Sequence, residues 1–290
     1  MTTVYPFNLQ ILGLNITGYG IMMMVGFLVG GWLIDQELRR RGWYHEYAAD
    51  ITVAAVIGGI LGAKLWYVAQ TGEPRTLFER GGLVWYGGFI GGAAAVLFNS
   101  ARLKVSLRWT CELAAPALAA AYGLGRLGCF LVGDDYGRPT SLPWATAFPQ
   151  GLPPTTAGVL EREYGIPMQA GVAPETLLGV HPTQLYEAFS MIAVFMILWQ
   201  LRTHTKGTGW LFGVYLVFAG IERFLVEFVR AKTDHVLGPL TAAQLMALGV
   251  LGLGIVLLMT WREKQDPGPY LAKGTKTREE SVRPSTPLPG

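Results

Sequence analysis

Seven long apolar stretches, separated by short polar or Gly/Pro-rich gaps, constrain this chain more than any other feature. They fall at about 17–37, 48–69, 83–101, 110–133, 184–201, 208–230 and 240–261. The hydrocarbon core of a bilayer takes about 20 mostly apolar residues per helix. In hydrocarbon a lone segment satisfies its own backbone only as a helix. The pattern therefore predicts an all-α membrane protein with seven transmembrane helices. Composition agrees, since charged residues make up 15% of the chain against about 25% in soluble domains. The 38 glycines also suit membrane helices, which use small residues to bring backbones close. A net charge of +3 is too small to argue for a nucleic-acid partner. No internal repeat is evident, which weakens a transporter built on inverted halves.

Lysine and arginine placement predicts the orientation. With the N-terminus outside, the cytoplasmic segments hold Arg39, Arg40, Arg41, Arg102, Lys104, Arg108, Arg202, Lys206, Arg262, Lys264, Lys273, Lys276, Arg278 and Arg283. The outer side holds only Arg75, Arg80, Arg138, Arg162 and Lys232. The expected organisation is a membrane domain over 1–264, with an outer-side, partly ordered loop at 134–180, and a disordered cytoplasmic tail over 265–290. The first fifteen residues carry no charge, so the basic start of a cleaved signal is missing. If Cys111 and Cys129 share a helix, about 27 Å separates them, too far for a disulfide.

A charged side chain at mid-membrane costs about 2.5–3.5 kcal/mol on insertion scales, so those present need a reason. Lys64, Arg126, Arg223 and Arg230 lie inside expected spans, all within about 11 Å of the outer boundary. Tyr19 and Tyr86 open spans 1 and 3 on the same side, and His181, Gln184 and Glu187 open span 5 there. Polar groups from six helices thus share one depth, the signature of a site. Arg126 has no carboxylate three or four residues away on its own helix, which points to an anionic head group. Arg223, Glu227 and Arg230 share a helical face, which also fits a structural ion-pair ladder. Lys64 sits where a lysine can snorkel to the interface.

Gly123-Leu124-Gly125-Arg126-Leu127-Gly128 matches GxGxxG literally, but no strand precedes it, so it reads as close helix packing around an arginine. Gly58/Gly62, Gly87/Gly91 and Gly88/Gly92 have GxxxG spacing and read as packing seams. Pro182 and Thr183 suit a helix start; His181, Gln184, Tyr186 and Glu187 beside them exceed what capping needs. No HExxH, CxxC or Asp-rich spacing appears, so neither a metal nor another cofactor is expected.

Together these motifs resemble the bacterial prolipoprotein diacylglyceryl transferases. The resemblance rests on Tyr19-Gly20, on Gly81 to Gly88, and on Gly125-Arg126-Leu127-Gly128-Cys129-Phe130 running to Gly133-Asp134-Asp135-Tyr136-Gly137-Arg138. It includes His181 to Glu187 and Arg223 to Arg230, in family order across about 15–261. It implies transfer of a diacylglyceryl group from phosphatidylglycerol to the lipobox cysteine of a prolipoprotein, in the bacterial cytoplasmic membrane. It further implies that Arg126 binds the lipid phosphate, that Arg223 is a second essential arginine, and that Tyr19, Tyr86 and His181 line the reacting centre. Lys64, Asp134, Gly137, Gln184, Glu187, Glu227 and Arg230 would complete substrate binding.

Four positions depart from the family pattern. Tyr86 stands where many members carry histidine, Cys129 and Asp134 stand where asparagine and glutamate are common, and Ala219 falls where a tyrosine is expected. The proton acceptor is therefore open, and an inactive lipid-binding paralogue is one rival. An anionic-solute transporter is another, but it requires polar residues through the cytoplasmic half, where almost none occur.

Overall fold

The computed structural model describes residues 1–11, 14–78, 82–167, 170–232 and 235–280. Gly81 of the motif before span 3, and the tail beyond 280, lie outside them. Helices stand at all seven expected stretches: α1 (Gly18–Arg41), α2 (Tyr47–Thr71), α3 (Trp85–Arg102), α4 (Leu107–Val132), α6 (Thr183–Leu201), α7 (Trp210–Val226) and α8 (Ala242–Thr260). A short α5 (Ala157–Tyr164) and a last helix α9 (Pro269–Glu280) complete the set. Of these, α1, α2, α4, α6 and α8 are long and apolar enough to cross a membrane. Large apolar side chains such as Trp32, Leu65, Phe98, Phe189 and Met259 are exposed on the helices, as hydrocarbon surroundings permit. The molecule is an all-α membrane protein.

The chain divides into two compact units. One contains residues 30–117, 206–209 and those from 263 onward. Its centre is the α2–α3 hairpin, closed along a seam of glycines. A Cβ on Gly62 would land on the Gly87 carbonyl oxygen and 2.8 Å from Gly91 Cα, and one on Gly58 would come 2.5 Å from the Gly91 carbonyl oxygen. The fully buried Tyr47 ties the hairpin to α4, its hydroxyl bonding Ser100 Oγ and Thr110 Oγ1 at 2.8 Å each.

The tail departs from the expected disorder over 269–280, which is helical. The cause is a run of specific anchors. Ser106 Oγ donates to Gln265 Oε1 at 2.6 Å and Trp109 Nε1 to the Gln265 carbonyl at 2.7 Å. The Gln265 amide donates to Thr208 Oγ1 at 2.9 Å, and Tyr270 to Asp50 Oδ2 at 2.5 Å. Leu271 is fully buried. A sequence rich in Pro, Lys and Thr hides these few contacts.

The other unit contains residues 1–29, 118–205 and 210–262. Here α7 packs on α8 through Gly213, Gly220 and Gly254, each with the neighbouring backbone within 3.3 Å of where a Cβ would stand. α8 starts with a capping box, Thr241 and Gln244 bonding each other's backbone. Tyr136, Phe148, Leu160 and Val180 of the expected outer loop form a small buried core with Ala231. The Tyr136 hydroxyl donates to the Pro153 carbonyl at 2.9 Å, and the N-terminal strand β1 (Thr2–Thr3) pairs in parallel with β2 (Thr146–Ala147).

Gly62→Ala should force the α2–α3 seam apart and cost about 1–3 kcal/mol, the usual penalty of overpacking. Gly252→Ala, where an added Cβ meets nothing within 4 Å, should be neutral or slightly stabilising. Thermal unfolding of both variants in detergent checks this, and equal shifts would contradict the seam.

Candidate active site

Three arginines meet around one carboxylate. Glu187, in the second turn of α6, has a fully buried side chain. Its Oε2 lies 2.5 Å from Arg126 Nε, and its Oε1 lies 3.1 Å from Arg230 Nη1 and 4.0 Å from Arg223 Nη1. Charge neutrality is reached with two more carboxylates. Asp135 bridges Arg126 Nη1 at 2.9 Å and Arg230 Nη2 at 2.5 Å. Glu227 pairs with Arg223 Nη2 at 2.9 Å and lies 3.6 Å from Arg230 Nε. Arg126, Arg223 and Arg230 are thus balanced by Asp135, Glu187 and Glu227, three charges against three.

Each member is delivered by local structure. α7 keeps Arg223 and Glu227 one turn apart, then tightens into a 3-10 turn at Glu227–Val229 that ends with Arg230 extended. Thr241 Oγ1, the α8 cap, donates to Glu227 Oε1 at 3.1 Å. The turn after α4 places Asp135 in the left-handed region, at φ 55°, which aspartate tolerates better than most residues. The start of α6 holds that turn. Gln184 Nε2 donates to the Asp134 carbonyl at 2.5 Å and Thr183 Oγ1 to the Asp135 carbonyl at 2.8 Å. Gly137 is a joint: its amide donates to the His181 carbonyl at 2.8 Å. A Cβ there would come 2.5 Å from the Val229 carbonyl oxygen and 2.7 Å from His181 Cβ.

The network corrects one expectation. Arg126 is not without carboxylates; they come from Asp135 and from α6 rather than from its own helix. The face shared by Arg223, Glu227 and Arg230 is an ion-pair ladder, continuous with Arg126 through Glu187. Sequence reading missed Tyr122, one turn before Arg126. Its hydroxyl donates to Glu187 Oε2 at 2.6 Å and accepts from Arg126 Nε and Nη2 at 3.3 Å each. The four-residue spacing was the available signal. It also missed Glu222, which accepts from Ser190 Oγ at 3.4 Å.

Other predicted residues have different settings. Tyr19 faces Cys129, Asp134 and Arg126 electrostatically. Cys129, which like Cys111 is free, lies 3.9 Å from Arg126 Nη1. His181 Nδ1 is 3.2 Å from the Tyr186 hydroxyl, which accepts from Trp144 Nε1 at 2.7 Å. Burial pushes the His181 imidazole down, so it is neutral at pH 7. Lys64 and Tyr86 belong to the other unit. There Lys64 donates to the Thr76 carbonyl at 3.3 Å, and the half-exposed Tyr86 meets Trp85 edge-on.

The adjacent carboxyls Asp134 and Asp135 are driven in opposite directions. Burial alone would raise Asp135, but Arg230 and Arg126 outweigh it and hold it well below the usual carboxylate range. Burial, reinforced by the negative charge of Asp135, pushes Asp134 up to about 6.

Removing one partner of a buried ion pair typically costs about 3–5 kcal/mol because the other charge is left uncompensated. Glu187→Gln should therefore destabilise the protein by about that much, whereas Glu163→Gln, whose side chain is half-exposed beside Arg162, should change stability by under about 1 kcal/mol. Thermal unfolding in detergent reads the difference.

Comparison with known proteins shows the family. Residues 6–260 match the family model described as prolipoprotein diacylglyceryl transferase. A phosphatidylglycerol–prolipoprotein diacylglyceryl transferase of Clostridium tetani is 32% identical over 257 residues, covering 86% of this chain and 95% of the relative. The Geobacter sulfurreducens protein of the same name is 30% identical, with coverage of 86% and 92%. One from Pseudomonas putida is 32% identical, with coverage of 90% and 95%. With a match running over most of its length, the chain belongs to the prolipoprotein diacylglyceryl transferase family.

Proposed function

We propose that this protein transfers the diacylglyceryl group of phosphatidylglycerol to the lipobox cysteine of prolipoproteins, forming a thioether and releasing glycerol phosphate. The observation that carries the reading beyond family membership is the convergence of Arg126, Arg223 and Arg230 on Glu187. Among the described residues, buried Arg223 Nη1 makes no hydrogen bond, so the cluster retains an unused donor.

The chemistry favours such a cluster. As thiolate sulfur attacks a glycerol carbon, the C–O bond breaks and its electron pair goes to phosphate. The monoanionic diester becomes a dianionic monoester. Guanidinium groups facing that phosphate bind it more strongly as charge develops, which is what accelerates a step. A low-dielectric surrounding enlarges the effect. Within this reading Arg126 and Arg223 hold the phosphate. Arg230, Glu187 and Glu227 keep the two forks in register, and Tyr19, His181, Gln184 and Asp134 line the approach. Gly137 keeps the backbone at Val229 and the His181 side chain close.

The same reading assigns seven membrane spans, α3 and α7 included, in the bacterial cytoplasmic membrane with the N-terminus outside and the C-terminus in the cytoplasm. The excess of basic residues on one set of loops supports it. The reaction is placed near the outer leaflet, where a secreted precursor arrives.

Arg126→Ala should abolish transfer to a lipobox peptide while the protein still fractionates with membranes. Arg126→Lys should also be poor, because lysine cannot reproduce the two-pronged fork. Turnover near normal in either variant would remove Arg126 from the phosphate. Single cysteines near Arg40 or Lys264 should resist an impermeant thiol reagent added outside, and one near Gly151 should react. The reverse pattern would invert the topology.

A further inference from the structure

The transfer reaction needs a group, close to the guanidiniums that hold the phosphate, that accepts the thiol proton. The carboxyls beside Arg126 supply one. Donor atoms of Cys129, Asp134 and Asp135 all lie within 4.8 Å of one another, and Arg126 Nη1 contacts both Asp135 and Cys129. Asp135 is committed, since Arg126 takes one of its oxygens and Arg230 the other. Asp134 has no arginine bonded to its side chain. Its Oδ1 is sealed from solvent and has no hydrogen-bond partner among the described residues, although the residue as a whole is only half-buried. The Cys129 sulfur lies within 4.8 Å of a carboxylate oxygen of Asp134, so a sulfur already stands beside it.

We propose that Asp134 is the catalytic base that takes the proton of the incoming cysteine thiol. The proposal rests on the transfer reaction argued above and deepens it. The carboxylate accepts the S–H proton as the sulfur electron pair forms the S–C bond. The C–O bond to phosphate breaks, its pair staying on the phosphate. The proton then passes from Asp134 to the departing glycerol phosphate or to water, which restores the carboxylate. Asp135 cannot do this work, because protonating it would forfeit two arginine contacts. Two neighbouring carboxyls pushed apart by their surroundings are a recurring way to divide base and electrostatic roles.

The groups facing Asp134 set its basicity. Burial acts most strongly, followed by the charge of Asp135, which together push it up to about 6; Cys129, Arg126 and Arg230 pull the other way. Tyr19 of α1 faces it electrostatically, and the Gln184 amide holds its backbone carbonyl. A base of this strength is ionised at pH 7 yet much more basic than an exposed aspartate.

The test compares two nucleophiles on the full-length protein in phosphatidylglycerol-containing nanodiscs. One peptide carries the lipobox cysteine and the other selenocysteine, whose selenol ionises without help at neutral pH. For wild type with the cysteine peptide, kcat/KM should rise with pH to a plateau, with an apparent pKa of about 6. The selenocysteine peptide should lack that limb. Asp134→Asn should lose about 10²–10⁴ in kcat toward cysteine, the usual contribution of a general base, with little change in KM for the lipid. Toward selenocysteine it should keep most of its rate, which a merely structural role would not allow.

Equal losses toward both peptides would overturn the assignment. So would a wild-type limb that follows the thiol's own ionisation at about 8.5. If the variant fails to accumulate, the two wild-type profiles decide alone, because an acid limb shared by both nucleophiles excludes a base for sulfur. Absence of transfer by wild type to either peptide would instead remove the reaction, and the base with it.

Discussion

A buried carboxylate with three arginines around it is the constraint that organises the site-bearing unit. Glu187 cannot be left ionised in an apolar interior without compensation, and the arginines cannot be left there without an anion. The start of α6, the turn after α4 and the end of α7 must therefore arrive together. Their backbones are fixed accordingly: Thr183 and Gln184 hold the Asp134–Asp135 turn, and Gly137 joins that turn to the strand-like segment at Arg230. On the proposed reading, a phosphate entering among the three guanidinium groups would compete with carboxylates already paired there, so discrimination would rest on which anion offers the better geometry rather than on net positive charge.

Much of the fold was legible because hydrophobic length is a signal written residue by residue. Helices stand at all seven apolar stretches, with ends shifted by a few residues, and the glycine pairs at Gly58/Gly62 and Gly87/Gly91 do mark a seam. The tail was not legible. Its order depends on Gln265, Tyr270 and Leu271 meeting partners more than 150 residues away in sequence, and composition carries no trace of such meetings.

The site divides in the same way. Arg126, Arg223, Glu227, Arg230 and Glu187 stood out because charge inside an apolar run is conspicuous. Their pairing was hidden, because only the Arg223–Glu227–Arg230 spacing lies on one helix. Tyr122 escaped because a tyrosine in a membrane helix looks like packing. Asp135 escaped because it lies just past α4, where an acidic residue resembles any loop residue. Nothing in two consecutive aspartates reveals that one is fastened to two arginines while its neighbour is left basic.

The glycine seam between α2 and α3 also bears on how the chain assembles. The two helices are consecutive and joined by a short connection, so bringing them together closes a small loop at low entropic cost. Contacts that are local in sequence form fast. The hairpin can thus pair as soon as its second helix leaves the ribosome, long before α6 and α7 exist to complete the arginine cluster. Synthesis then proceeds from a region closed by a glycine seam to one held by charge, and the carboxylates and arginines of the site find their partners only after α6 and α7 have emerged.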